Sequence, residues 1–166
     1  MAHFAEVSHD PLAAARKASP ARVLRVIAVY DADCTDENGQ ESEAVGVAFC
    51  VEMLGGYWVQ TSYHGKIHHN YAGEGGLYDG TGFFVEQPHP SWTLDENYVW
   101  QPPIPYPDGG LYVWDEGSQQ WIDQKPFPSW VWNEPTHWYD PPVAIPEDFT
   151  GENYEWNEDT QAWDAT

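Results

Sequence analysis

The chain has 166 residues, enough for one medium-sized domain or two small ones. Its 27 acidic residues outnumber its 6 basic residues, which gives a formal net charge of −21. A surface of this charge repels phosphate, so we expect no binding to nucleic acid or to anionic membranes. No signal peptide and no apolar run of about 18 residues is visible, so we expect synthesis in a cytoplasm.

Apolar side chains are distributed unevenly along the chain. Nine of the ten tryptophans lie between Trp92 and Trp163, and twelve of the fourteen prolines follow residue 87. This asymmetry predicts a mainly β fold with one helix: a small N-terminal ββαβ (α+β) domain followed by a tandem array of short tryptophan-rich β-hairpins. The predicted regions are 1–64 (α+β domain), 65–87 (linker plus a first weak hairpin), 88–124 (first repeat) and 125–166 (second repeat).

Three N-terminal segments have the composition of β-strands. They are rich in β-branched and aromatic residues and cover Phe4–Val7, Arg22–Tyr30 and Tyr57–Tyr63. Residues 8–20 form an excursion between the first two strands, in which Leu12–Lys17 is predicted to make one or two helical turns.

One helix is predicted over Glu43–Leu54. Ser42 is a suitable N-cap, and Gly55-Gly56 ends the helix. The spacing predicts that one face, made of Val45, Ala48, Phe49 and Met53, packs against the core.

Two cysteines do not make a disulfide framework. Cys34 and Cys50 are therefore expected to be free thiols, with a single bridge as the alternative and Cys50 buried on the helix.

A repeated pattern dominates the sequence after residue 87. Two aligned repeats open with Pro90-Ser91-Trp92 and Pro128-Ser129-Trp130. Each repeat continues through another Trp and a double proline to an aromatic-acidic segment, Tyr112-Val113-Trp114-Asp115-Glu116 or Tyr154-Glu155-Trp156-Asn157-Glu158. Internal repetition of this kind is typical of stacked supersecondary units.

Each half of a repeat has the pattern of a β-hairpin. Aromatic residues at positions i and i+2 share one face of a strand, and Asp or Asn followed by Glu and polar residues favours a turn. A closing aromatic residue then returns beside its partner. The predicted cross-strand pairs are Leu94 with Trp100, Trp114 with Trp121, Trp132 with Trp138, and Trp156 with Trp163.

No constellation of residues predicts catalysis. The Asp-Glu pairs recur once per hairpin, which indicates turn formation rather than one reaction site, and no nucleophile motif is present. His64, His68 and His69 lie close together, but their spacing fits no familiar set of metal ligands, so we expect exposed polar residues. We therefore predict a non-enzymatic protein with no catalytic residues, no metal and no cofactor.

Two tryptophans, Trp92 and Trp130, fall outside the pairing scheme. Exposed aromatic rings can stack on sugar rings, so these two are the candidate binding residues for a glycan. In the competing interpretation every tryptophan packs within the hairpins, and the strict repetition favours that interpretation.

Several segments spread over nearly the whole chain occur in combination. They are Met1-Ala2-His3-Phe4-Ala5, Val26-Ile27-Ala28-Val29, Leu54-Gly55-Gly56-Tyr57-Trp58-Val59-Gln60-Thr61-Ser62-Tyr63, Asn70-Tyr71-Ala72-Gly73, Pro90-Ser91-Trp92-Thr93-Leu94-Asp95-Glu96, Trp100-Gln101-Pro102-Pro103 and Tyr154-Glu155-Trp156-Asn157-Glu158. Together they resemble a family of small virion-associated proteins of tailed phages that infect marine and freshwater bacteria, cyanophages among them. The chain departs from that family at residues 8–20, which are longer, and at Glu74-Gly75-Gly76.

The resemblance implies a virion protein and transfers no catalytic residues. We expect a non-enzymatic structural protein of a tailed-phage virion, most specifically a capsid decoration or cement protein on the outer surface of the head. Expected partners are other virion proteins, above all the major capsid protein, and further copies of the chain itself. The alternatives are a tail- or fibre-associated accessory protein, a glycan-binding module for attachment to the host surface, and a cytoplasmic assembly factor.

Overall fold

The computed structural model describes residues 1–14 and 19–166. The chain divides into two compact units. The sheet unit comprises Met1–Pro88 and Trp92–Gln101, and the hairpin unit comprises His89–Ser91 and Pro102–Thr166. The fold is mainly β, as predicted, and one helix among the described residues is longer than a single turn.

A five-stranded antiparallel sheet forms the centre of the sheet unit. Its strand order is β3-β1-β2-β4-β5. The strands are β1 (Ala2–Val7), β2 (Ala21–Val29), β3 (Tyr57–Thr61), β4 (Leu77–Tyr78) and β5 (Phe83–Phe84). A short helix, α1 (Pro11–Ala14), follows β1; the rest of the helical segment predicted at Leu12–Lys17 falls on residues 15–17, which lie outside the described ranges.

Both faces of the sheet are buried, because side chains alternate along each strand. Phe4 of β1 and Trp58 of β3 pack on one face with Cys34 and Cys50. The other face packs a second cluster around Val7, Val23, Val59, Tyr78 and Phe83. The sheet therefore sits between two separate apolar cores.

The predicted helix is confirmed as α2 (Glu43–Leu54). Ser42 Oγ accepts a hydrogen bond from Val45 N at 3.5 Å, which caps the first turn. At the other end Gly55 N donates to Val51 O at 2.9 Å, and Gly55 has a φ of 69°, a conformation that glycine adopts without a steric penalty.

The prediction of the helix face was partly correct: Phe49 packs against the core and Cys50 is buried, as predicted, but Met53 does not face the core. Gly46 and Cys50 are the buried residues of α2, whereas Met53, assigned to the core face, is 64% exposed. The reason is the close approach of the Phe4 ring to Gly46, where a Cβ would lie 2.8 Å from Phe4 Cε1 and closer still to Cζ. Hydrophobic spacing alone does not reveal this contact, because glycine supplies the space. Cys34 and Cys50 are both buried and free.

Residues 65–76, predicted as a linker, are hydrogen-bonded into the sheet unit. Val23 N donates to Gly76 O at 2.8 Å, and Gly75 N donates to Val23 O at 2.9 Å. Ala72 N donates to Thr61 Oγ1 at 2.8 Å. The glycines of this segment allow its backbone to pass close to β2. A glycine-rich composition, which is typical of linkers, here permits close packing against the sheet. The strands β4 and β5 then extend the sheet.

Four two-stranded antiparallel hairpins follow. The first, β6 (Thr93–Leu94) with β7 (Trp100–Gln101), belongs to the sheet unit rather than to the array. The hairpin unit contains β8 (Tyr112–Asp115) with β9 (Gln120–Asp123), β10 (Val131–Asn133) with β11 (Trp138–Asp140), and β12 (Tyr154–Asn157) with β13 (Ala162–Ala165).

Candidate functional site

The three hairpins of the hairpin unit share one turn geometry. An Asp or Asn ends the first strand of each hairpin. In two of the three, its side chain accepts a backbone N–H of the turn: Asp115 Oδ2 accepts from Ser118 N at 2.8 Å and Asn157 Oδ1 from Asp159 N at 3.0 Å. The last turn residue is left-handed, with φ values of 53°, 52° and 49° at Gln119, His137 and Gln161. The shared backbone explains why the sequence repeats at these positions.

Paired aromatic rings cover one face of each hairpin. The rings of Trp114 and Trp121 have centroids 5.2 Å apart at 71°, and those of Trp156 and Trp163 are 5.3 Å apart at 72°. Edge-to-face rings at this separation attract one another beyond their burial, by about 0.5–1.5 kcal/mol. In the sheet unit, Leu94 lies opposite Trp100.

The pairing predicted between Trp132 and Trp138 is corrected by the structure. Trp132 lies opposite Tyr139, with ring centroids 5.2 Å apart. Asn133 pairs with Trp138, which leaves a four-residue turn, whereas Asp95 N already bonds Val99 O in the shorter turn of β6–β7. The extra residue moves the next aromatic into the inner position. Trp138 therefore points outward and is 55% exposed.

Tyr139 also joins two hairpins of the array. Its hydroxyl donates to Asp123 Oδ1 at 2.5 Å and accepts from Leu111 N at 3.2 Å. Burial, together with the bond to Asp123, raises the pKa of the Tyr139 hydroxyl above its ordinary value of 10.0. Tyr139 occupies the inner position that was predicted for Trp138, and its hydroxyl links the hairpin β10–β11 to the hairpin β8–β9.

A Trp-Asp/Asn-Glu sequence makes the same hydrogen bond in every hairpin of the hairpin unit. The indole N–H of the first-strand tryptophan donates to the carboxylate of the glutamate two residues later. The distance is 2.9 Å from Trp114 to Glu116 and 2.8 Å from Trp156 to Glu158, and Trp132 bonds Glu134 in the same way. The carboxylates of these glutamates therefore have a structural role within the hairpins.

In each repeat, the serine of the Pro-Ser-Trp motif donates to a glutamate that also accepts from a tryptophan. Ser91 Oγ donates to Glu116 Oε2 at 2.8 Å. Ser129 Oγ donates to Glu158 Oε2, and Ser129 N donates to Glu158 Oε1, both at 2.8 Å. We call each set of serine, glutamate and tryptophan a Ser–Glu–Trp clamp. The hydrogen bond from Trp156, together with those from Ser129, outweighs the opposing effect of burial and holds the pKa of Glu158 below its ordinary value of 4.5.

A double-mutant cycle tests the clamp. We expect Ser129→Ala and Glu158→Ala each to lower the melting temperature of the hairpin unit, and the double variant to cost less than the sum, because both changes remove the same hydrogen bond between Ser129 Oγ and Glu158 Oε2. Thermal unfolding followed by tryptophan fluorescence measures the three values. Strictly additive losses would show that the two side chains do not interact in solution.

The structure places Trp130 inside an aromatic cluster. Its ring centroid lies 5.3 Å from that of Phe127, 6.0 Å from that of Trp156 and 6.1 Å from that of Trp163. Its indole nitrogen is buried and has no hydrogen-bond partner among the described residues. Trp130 therefore packs within the hairpin unit, as the competing interpretation of the sequence expects, and its side chain is partly exposed.

The second-strand tryptophans share a further contact. The indole N–H of Trp100 donates to Val85 O at 2.9 Å, that of Trp121 to Ile104 O at 2.8 Å, and that of Trp163 to Val143 O at 3.2 Å. Ile104 and Val143 each directly follow a double proline. The chain therefore places a proline-bearing segment against an indole N–H in both repeats.

Trp92, the other candidate binding residue, lines a groove of about 590 Å³ within the sheet unit. The wall is mainly aromatic and aliphatic, with Leu77, Phe84, Val85, Pro88, Tyr98, Val99 and Trp100 among its residues. Asn70 lies in the groove wall and donates from its amide to Phe83 O and Tyr98 O, each at 2.9 Å. We refer to this feature as the aromatic groove.

A histidine–carboxylate pair lies elsewhere in the sheet unit. His68 Nε2 lies 3.1 Å from Glu43 Oε1, and His68 Nδ1 lies 3.1 Å from the carbonyl of Thr81. The Glu43 carboxylate and the Thr81 carbonyl can only accept hydrogen bonds, so this arrangement favours the doubly protonated, positively charged ring. The bond to Glu43 raises the pKa of His68 above 6.5. Burial alone would raise the pKa of Glu43, but the hydrogen bonds from His68 and Gln60 N lower it below 4.5.

This pair predicts a pH dependence of stability. The raised pKa of His68 means that its contribution is complete below about pH 6.5, the unfolded value, and is lost as the pH rises through the folded value. The lowered pKa of Glu43 means that its contribution is lost as the pH falls below the ordinary value of 4.5. The pair therefore stabilises the protein most between about pH 4.5 and pH 6.5. We expect the melting temperature of the sheet unit to decline at lower and at higher pH.

His68→Asn, which tolerates the left-handed backbone at this position (φ 54°), is expected to flatten the alkaline decline. His64→Gln, at an exposed histidine outside the pair, serves as the matched control and should retain it. An unchanged alkaline slope in His68→Asn would show that the pair does not form.

Comparison of the chain with protein-family models, with curated proteins and with solved structures gives no match in any of the three. Within residues 1–14 and 19–166, every helix is too short or too polar to span a lipid bilayer. Over the same ranges no group of three or more His, Cys, Asp or Glu side chains is arranged to hold a metal ion.

Two features of the candidate site were missed from the sequence. The aromatic groove draws residues from 23 to 100, and no local pattern connects them. His68 was predicted to be an exposed polar residue, but it bonds Glu43, which lies 25 positions earlier in the sequence. The spacing of charged residues did not signal this pairing; the left-handed φ values of His68 and His69 became visible only in the structure.

Proposed function

We propose that this chain is a non-enzymatic structural protein of a tailed-phage virion, and specifically a decoration protein on the outer surface of the capsid. The proposal combines the family resemblance of the sequence with the repeated geometry of the hairpin unit. It places the protein on the particle exterior, after synthesis in the host cytoplasm.

The proposal that the protein is non-enzymatic rests on the equivalent hydrogen bonds made by the glutamates of the two repeats. Glu116 and Glu158 each accept from the indole N–H of a tryptophan and from a serine hydroxyl. Catalytic groups are typically distinguished by surroundings that perturb their pKa strongly. Here the equivalent glutamates of the two repeats share one environment and one structural role.

Charge supports docking onto a protein surface. The net charge of −21 favours association with a basic surface and disfavours binding to nucleic acid. The family resemblance of the sequence implies that this partner surface belongs to other virion proteins, above all the major capsid protein, and a capsid lattice would bring many copies of this chain side by side.

Protein composition of purified particles tests the proposal. Quantitative mass spectrometry should find this chain in virions at a fixed, high ratio to the major capsid protein. A ratio of only a few copies per particle would replace the decoration role with that of a tail- or fibre-associated accessory protein. Presence in the host lysate together with absence from purified particles would refute the virion assignment altogether.

A second candidate function, binding of a host glycan, is favoured by Trp138. Its ring lies on the outer face of β10–β11 and is 55% exposed, so it offers the aromatic platform on which sugar rings stack. A glycan array should then give a signal that Trp138→Ala removes and Val113→Ala, at another exposed position, retains. An array without any bound glycan contradicts this function.

A further inference from the structure

The aromatic groove of the sheet unit has the size and lining of a binding site. Its volume of about 590 Å³ lies within the range of about 300–1,000 Å³ typical of ligand pockets. Trp92, Tyr98 and Trp100 lie along it with Phe84 and Leu77. Such a concave, preformed, aromatic surface is suited to an apolar, extended occupant.

The polar groups of the groove are largely used within the protein. Both hydrogens of the Asn70 amide are donated to backbone carbonyls, and the indole N–H of Trp100 is donated to Val85 O. A sugar needs many hydrogen-bond partners for its hydroxyls. A proline-bearing peptide needs fewer, because proline has no N–H, so the groove suits such a peptide better than a glycan.

The chain itself recognises such segments twice. Trp121 bonds the carbonyl of Ile104, which follows Pro102-Pro103, and Trp163 bonds the carbonyl of Val143, which follows Pro141-Pro142. Docking of a preformed proline-rich helix on aromatic side chains is a general mode of peptide recognition. Trp100 is the counterpart of these tryptophans in the sheet unit, and it lines the groove together with Tyr98 and Val99. Its indole N–H already bonds Val85 O, so a bound proline segment would pack on the aromatic rings and would not accept this hydrogen bond.

Charge defines the rest of the occupant. Glu74 lines the groove and is exposed, and the whole chain carries −21. Acidic segments would be repelled, whereas Lys or Arg beside the prolines would be attracted to this wall.

We propose that the aromatic groove binds an extended, cationic segment of a partner protein that contains adjacent prolines followed by an aliphatic residue. This inference goes beyond the proposed function and does not depend on the virion assignment. A binary binding assay with the full chain therefore tests it separately from the composition of particles.

The probe is a fluorescently labelled synthetic peptide with the sequence Pro-Pro-Ile-Pro flanked by lysines. Fluorescence anisotropy with the full-length protein should give saturable binding. Replacing the prolines of the peptide with alanine, or its lysines with glutamate, should weaken binding by about tenfold or more, the loss expected for removal of an anchor at a recognition site.

Protein variants locate the site. Glu74→Lys should weaken binding, whereas Glu155→Lys makes the same charge change at an exposed position outside the groove and should not. Val99→Lys, at a groove residue that is 48% exposed, adds an obstructing cation without disturbing a core and should also weaken binding. Trp92→Ala removes an aromatic ring of the groove and should weaken binding. Trp138→Ala removes an aromatic ring outside the groove and should not.

The inference would be overturned by no saturable binding of the proline peptide, by equal binding of the alanine peptide, or by equal loss in Glu74→Lys and Glu155→Lys. Binding of a neutral oligosaccharide at the groove, lost in Val99→Lys while the peptide fails to bind, would also overturn it, because the site would then be a glycan site.

Discussion

Trp156→Ala is expected to lower the free energy of unfolding of the hairpin unit by about 3–5 kcal/mol, the range for a buried tryptophan truncated to alanine. Trp156 is only 8% exposed. Its ring contacts those of Phe127, Trp130 and Trp163, so truncation removes the centre of one aromatic cluster. Glu158 also loses its indole donor. Urea unfolding followed by tryptophan fluorescence measures the change.

Trp138→Ala is the matched control for that experiment. Trp138 is 55% exposed, and surface substitutions usually change stability by no more than about 0.5 kcal/mol. A loss in Trp138→Ala as large as that in Trp156→Ala would contradict the assignment of inner and outer faces in the array.

Gly46→Ala is expected to destabilise the sheet unit by about 1–3 kcal/mol, although alanine is normally the better helix former. A Cβ at this position would lie 2.8 Å from two atoms of the Phe4 ring and closer to a third. Phe4 is fully buried, so its ring can give way only by disturbing its neighbours in a close-packed core, Cys50 and Trp58 among them.

Far-ultraviolet circular dichroism during thermal unfolding measures that loss. Gly73→Ala is the control, because an added Cβ there meets nothing within 4 Å and its stability should be close to that of the parent chain. Adding Phe4→Leu to Gly46→Ala should recover part of the loss, because the smaller side chain relieves the overlap. A Gly46→Ala variant as stable as the parent would show that the ring does not lie against the helix.

Local signals predicted the local elements of this fold well. The helix at Glu43–Leu54 could be predicted because its start at Ser42 and its end at Gly55 depend on the residues themselves. The hairpins could be predicted because Asp or Asn at the end of a strand caps its own turn, a contact within three residues.

Turn length limited the prediction of side-chain pairing. Counting from aromatic to aromatic placed Trp138 opposite Trp132, but the turn at Glu134–His137 contains one residue more than its counterpart in β6–β7. A shift of one residue moves a side chain to the opposite face of a strand. Tyr139 therefore occupies the inner position, and the sequence alone did not distinguish it from its tryptophan neighbour.

Contacts between distant segments were the part that sequence patterns did not reveal. Glycines near Gly75 suggested a linker, yet they allow the backbone to bond β2 at Val23. The Ser–Glu–Trp clamps join residues 25 and 29 positions apart. The recurrence of Pro-Ser-Trp signalled that the serine had a role, but its partner became evident only once the two ends of the repeat were seen together.

Nuclear Overhauser effects between the aromatic rings of the hairpin unit test the central claim most directly. The account predicts cross-peaks from Trp132 to Tyr139 and from Trp156 to Trp163, since both pairs of ring centroids lie within 5.3 Å. Indole rings without cross-strand partners, or cross-peaks from Trp132 to Trp138 in place of Tyr139, would contradict a scaffold built from these paired hairpins.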